Sequence, residues 1–167
     1  MKDVRARVGS SFADCGATPS KWGRMMLRAM WIVGGFTTAD WTAESNQYGA
    51  QFGVCLAPAG DVDGDGYADV IIGSPFYDNG QADEGRAYVY HGSAGGLAAA
   101  AAWTTDGNDD GAWFGYSVAG AGDVNGDDFG DVIVGATYGA GVGRASLFLG
   151  SAAGLASTPA WTSESDQ

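Results

Sequence analysis

Asp61-Val62-Asp63-Gly64-Asp65-Gly66-Tyr67-Ala68-Asp69 returns 62 residues later as Asp123-Val124-Asn125-Gly126-Asp127-Asp128-Phe129-Gly130-Asp131. The match extends on both sides. Phe52-Gly53 recurs as Phe114-Gly115, and Asp69-Val70-Ile71 with Gly73 recurs as Asp131-Val132-Ile133 with Gly135. Between residues 52 and 75, 13 of 24 positions are identical without a gap, which establishes a tandem repeat before any propensity is considered.

Beyond the acidic stretch the offset falls to 58, pairing Gly85-Arg86-Ala87 with Gly143-Arg144-Ala145, and Trp103-Thr104 with Trp161-Thr162. The difference lies in one loop, where Phe76 to Glu84 is replaced by the shorter Tyr138 to Val142. An incomplete copy precedes both units. Trp41 to Gln47 matches Trp161 to Gln167 at five of seven places, and a Gly-Arg pair stands 18 residues before each of Trp41, Trp103 and Trp161. The organisation read from these marks is a tail at 1–20, a degraded half-unit at 21–47, and complete units at 48–109 and 110–167.

Each complete unit contains four short runs rich in Val, Ile, Tyr, Phe and Trp, bounded by Gly, Pro, Asp or Asn, which is the signature of strands. The expected strands are Phe52 to Ala57, Asp69 to Gly73, Arg86 to His91 and Ala99 to Thr104, then Phe114 to Ala119, Asp131 to Gly135, Arg144 to Leu149 and Ser157 to Thr162. Ala98 to Ala102 would favour a helix on propensity, but its repeat partner carries Pro159, so both read as extended. Four antiparallel strands per unit, repeated in tandem, give an all-β fold of propeller blades.

The 167-residue chain holds 29 glycines and a net charge of -12. Residues 1–30 carry six basic and two acidic side chains, leaving two basic and 18 acidic on the rest. A surface so acidic repels polyanions, excluding nucleic acid as a partner and favouring cations. No apolar run reaches the ~20 residues of a membrane span. Lys21 to Ala39 imitates a signal peptide only weakly, being far from Met1 and broken by Arg28.

In the nine-residue loops, alternate side chains at places 1, 3 and 5, all carboxylates in the first loop and with Asn125 at place 3 in the second, converge as the chain curls, glycine permits the curl, place 9 closes the shell and the carbonyl of place 7 can point inward. An all-oxygen set of this size suits Ca²⁺ better than the smaller, wetter Mg²⁺ site. Without a cation the carboxylates would repel one another. An EF-hand fails here, because its twelfth place is Ile72 or Val134 and the following residues form a β run.

Phe52-Gly53 and Phe114-Gly115, the two acidic loops, and Gly73-Ser74-Pro75 with its degenerate partner Gly135-Ala136-Thr137 together resemble FG-GAP repeats, the units of the integrin α-subunit β-propeller. The resemblance implies Ca²⁺ held by Asp61, Asp63, Asp65, Tyr67 and Asp69, and by Asp123, Asn125, Asp127, Phe129 and Asp131. Asp128 departs from the usual glycine. Propellers of this type have about seven blades, so two and a half imply a fragment of a longer protein, or a ring completed by other copies. The resemblance also implies an exported, extracellular or cell-surface module that binds a protein or glycan ligand, with further blades as partners. A second reading is a propeller part of a secreted polysaccharide-degrading enzyme or phospholipase.

No catalytic set emerges from the sequence. His91, the single histidine, aligns with Leu149 and reads as a strand residue, not a base or ligand. Arg86 and Arg144 recur in register and read as scaffolding with paired heads. Trp41, Trp103 and Trp161 read as packing residues. Cys15 and Cys55 fit no metal-ligand spacing, and a bond between them is left open.

Overall fold

The computed structural model describes residues 39–138 and 142–165. Among them are eight strands and no helix: β1 (Cys55–Gly60), β2 (Asp69–Ser74), β3 (Arg86–Tyr90), β4 (Trp103–Asp106), β5 (Ser117–Gly122), β6 (Asp131–Thr137), β7 (Gly143–Phe148) and β8 (Trp161–Glu164). They form two separate four-stranded antiparallel sheets, each a meander in chain order, β1-β2-β3-β4 and β5-β6-β7-β8. The expected tail at 1–20, most of the half-unit at 21–47, and any pairing of Cys15 with Cys55 lie outside the described residues.

The two sheets repeat their irregularities as well as their strands. A bulge falls between Pro58 and Gly60 in the β1–β2 pair and between Gly120 and Gly122 in the β5–β6 pair, just before each acidic loop. An extra residue here increases the local twist and turns the chain into the loop.

Two strand positions differ from those read in the sequence. Phe52-Gly53 and Phe114-Gly115 form turns before β1 and β5. Gln51 and Gly53, like Trp113 and Gly115, have left-handed φ of 53°, 83°, 48° and 83°. Two left-handed residues flanking each phenylalanine bend the chain away from the extended path of a regular strand. The phenyl rings are buried, Phe52 at 6% exposure and Phe114 at 3%. The outer strands β4 and β8 begin at their tryptophans; before them Ala98 and Ala102 give their N–H groups to the carbonyls of His91 and Val89, and Ala156 and Ala160 give theirs to the carbonyls of Leu149 and Leu147.

Alternation along the strands explains the packing. Ile71 and Val89 face the second sheet, joining Val132, Val134 and Phe148 in one core. Ile72, Tyr88 and Tyr90 point the opposite way, onto Trp41 and Ala43. Close contact between the sheets is made by glycine: a Cβ on Gly73 would lie 1.9 Å from the Gly115 carbonyl oxygen.

The tryptophans link one unit to the next. Trp41 Nε1 donates to the Ala98 carbonyl at 2.9 Å and its ring meets Tyr90 edge-on at 4.9 Å. Trp103 repeats this one unit later, with Nε1 donating to the Ala156 carbonyl at 3.0 Å and its ring 5.0 Å from Phe148. Trp161, the next in the series, is 50% exposed.

The repeated arginines brace the sheet ends. Arg86 makes a two-pronged pair with Asp106, its register partner on β4, and stacks on Tyr77 at 4.1 Å. Both contacts favour its charged form and raise its pKa. Arg144 donates to Asp109 and to the Gly107 carbonyl, each at 3.1 Å, tying the second sheet to the link between the units.

Candidate metal centre

Each acidic loop joins the first two strands of a sheet, where the bulge has turned the chain. In the first, Asp61 accepts three backbone N–H groups: Gly64 at 2.8 Å and Asp65 at 3.0 Å on Oδ1, and Gly66 at 2.8 Å on Oδ2. Asp65 accepts the Tyr67 N–H at 2.9 Å, and Asp63 accepts the Asp65 N–H at 3.3 Å. These are the local bonds that short acidic side chains make in turns. They curl the chain so that one ligand oxygen from each of Asp61, Asp63 and Asp65 lies within 4.8 Å of the others.

The second loop reproduces the scaffold. Asp123 accepts Gly126, Asp127 and Asp128 N–H groups at 2.7, 3.0 and 2.9 Å, and Asp127 accepts the Phe129 N–H at 3.1 Å. Hydrogen bonding from Asp128 and its neighbours lowers the Asp123 pKa. Asn125 turns its amide onto Asp127 at 2.8 Å.

Place 9 plays a different part from places 1, 3 and 5. Asp69 and Asp131 are fully buried. Asp69 accepts Val62 N–H on Oδ2 and Gly92 N–H on Oδ1, both at 2.8 Å. Asp131 does the same with Val124 and Gly150, again at 2.8 Å. Each carboxylate therefore pins its own loop to the turn after the third strand. Burial dominates and raises the Asp69 pKa, while the two N–H bonds oppose it.

The loops differ in shelter. The second unit covers the first loop: Gly130 N–H donates to the Asp61 carbonyl at 2.7 Å and Ser151 N–H to the Val62 carbonyl at 3.1 Å. Val62 is fully buried, whereas its counterpart Val124 is 52% exposed. Tyr67 is 45% exposed. Phe129 is half-buried, its ring against Gly64, where a Cβ would come within 2.6 Å of it.

Asp128 occupies a left-handed φ of 72°, where the first loop has Gly66 at 89°. An L-residue is strained there, by ~1 kcal/mol. Asp128→Gly is expected to raise stability by about that amount in chelator, and a lowered melting temperature would contradict the assignment.

Sequence reading missed one residue at the site. His91, directly after β3, places Nδ1 2.9 Å from Asp63 Oδ2. Alignment with Leu149 gave no sign of it, since the contact exists only once the β2–β3 register sets Tyr90 opposite Val70 at the mouth of the loop.

A family model for the FG-GAP repeat matches residues 56–90 and 114–148. Integrin alpha-PS2 of Drosophila melanogaster is 40% identical over 132 residues, covering 72% of this chain and 9% of that protein. Integrin alpha-V of Gallus gallus is 38% identical over 95 residues, covering 52% and 9%, and integrin alpha-6 of the same species 38% over 87 residues, covering 52% and 8%. The matched region thus spans less than a tenth of the length of these relatives. The chain belongs to the FG-GAP repeat family, and its two units are repeats of the integrin α type.

Proposed function

We propose that the chain is a calcium-stabilised, non-enzymatic β-propeller segment of an exported adhesion or recognition protein. Its blades span 48–109 and 110–167 after a degraded half-blade at 21–47, with further blades and a protein or glycan ligand as partners. The observation that carries the reading is the convergence of Asp61, Asp63 and Asp65 oxygens within 4.8 Å. An ion with Ca–O distances of ~2.3–2.6 Å can touch oxygens no farther apart than about twice that length, so these three fit around one Ca²⁺.

In the proposed sites, Asp61, Asp63, Asp65, the Tyr67 carbonyl and Asp69 hold the first ion, and Asp123, Asn125, Asp127, the Phe129 carbonyl and Asp131 the second. The buried place-9 carboxylates keep a second lone pair on each oxygen after accepting one N–H. Bound Ca²⁺ would neutralise the clustered charge and cross-link the loop. The sites' range in extracellular modules, ~10⁻⁴ to 10⁻³ M, matches a setting outside the cell.

Linkage gives the expected result. Calcium at about ten to a hundred times the dissociation constant stabilises the fold by ~1.4–2.7 kcal/mol per site. At roughly 2–4 °C per kcal/mol for a chain of this size, melting should rise by about 5 °C or more over chelator. Equal melting curves in calcium and in chelator would remove the reading.

A further inference from the structure

We infer that His91 is a positioning residue for the first loop, holding the Asp63 carboxylate in place for the cation; this rests on the calcium reading above. A carboxylate only accepts, so the 2.9 Å contact puts the imidazole hydrogen on Nδ1, donating to Asp63 Oδ2. The remaining local bond to Asp63 is the 3.3 Å one from Asp65 N–H to Oδ1. His91 is therefore the shorter of the two contacts that fix this carboxylate, and it comes from outside the loop.

The imidazole is itself fixed. Its side chain is 23% exposed, and Nε2 is buried without a hydrogen-bond partner. Gly154 of the second unit lies over the ring, with a Cβ built there 3.7 Å from Cε1. The peptide group that follows the histidine is pinned at both its ends, by Ala98 N–H on the His91 carbonyl at 2.9 Å and by Gly92 N–H on Asp69 at 2.8 Å. A ring held this way presents its donor in one place. Hydrogen-bonded carboxylate ligands lose less conformational freedom on binding a cation, and such outer contacts contribute about 10–100-fold in metal affinity.

The second unit solves the same problem differently. Leu149 stands where His91 does, and Asn125 is tied to Asp127 inside the loop. His91→Leu thus installs the other repeat's own residue. His91→Asn returns a donor close to the position of Nδ1.

The experiment is calorimetric calcium titration of the full chain carrying Asp127→Ala, which isolates the first loop, with His91, His91→Leu or His91→Asn. The same His91 variants on Asp65→Ala report the second loop. First-loop affinity should fall about tenfold with His91→Leu and largely recover with His91→Asn. Second-loop affinity and melting in chelator should stay unchanged. Unchanged or tighter first-loop binding in His91→Leu would overturn the inference, as would equal weakening of both loops with early melting. A parent chain that melts normally but takes up no calcium would instead overturn the calcium reading, and this inference with it.

Discussion

Asp69→Ala is expected to destabilise the calcium-free protein by about 3–5 kcal/mol. The substitution removes the acceptor for Val62 N–H and Gly92 N–H, and Asp69 is fully buried, so water does not replace it. A buried donor left unpaired costs ~1–3 kcal/mol. Two such losses are a large share of a marginal total of ~5–15 kcal/mol. Asp69→Asn keeps an acceptor for one N–H and turns an NH₂ toward the other, so its cost should be about half. Asp65→Ala, at an exposed position, gives up only the bond from Tyr67 N–H and should melt in chelator within a few degrees of the parent. Thermal melts in chelator check the order. Asp69→Ala melting with Asp65→Ala would mean that the buried carboxylate is not the fastening described here.

The tryptophans supply the second large effect. Trp103→Ala removes a side chain 8% exposed that bonds the Ala156 carbonyl and packs on Phe148 of the other sheet. Truncating a buried Trp costs ~3–5 kcal/mol. Trp161→Ala, at the same place in the next unit but 50% exposed, should cost less than about 1 kcal/mol. Sequence alone would assign these two residues one role and one cost. Denaturant unfolding of both variants measures the difference, and equal losses would show that contact with the following sheet does not set the energy.

That comparison shows what the sequence could and could not tell. The eight strands, their grouping into two meanders and the acidic loops were legible, because period, turn residues and hydrophobic runs are local signals that the repeat doubles. The turn at Phe52-Gly53 was not. An aromatic residue before glycine scores as β, and only the left-handed φ at Gln51 and Gly53 shows that the chain bends while Phe52 enters the core. The donors to place 9 were hidden for a related reason, since Gly92 lies 23 residues from Asp69 and meets it through strand pairing. His91 was set aside by alignment with Leu149, which compares residue types but not the loops they face. Place 3 was legible as acidic or amide, while the different ways of holding it came only from the assembled sheets.

An inequality of the two loops in calcium affinity is expected from charge and cover. The first offers four carboxylates, from Asp61, Asp63, Asp65 and Asp69, and lies under the second unit. The second has Asn125 in place of one carboxylate and a half-exposed Val124. Affinity in oxygen-donor loops follows ligand charge and rigidity, so the first should fill before the second.

Calorimetric calcium titration of the parent chain, Asp65→Ala and Asp127→Ala is the most direct test of the central claim. The expected result is two sites of unequal affinity in the parent, loss of the tighter in Asp65→Ala and loss of the weaker in Asp127→Ala. Absence of calcium uptake by a folded parent chain, or two intact sites in either variant, would contradict it.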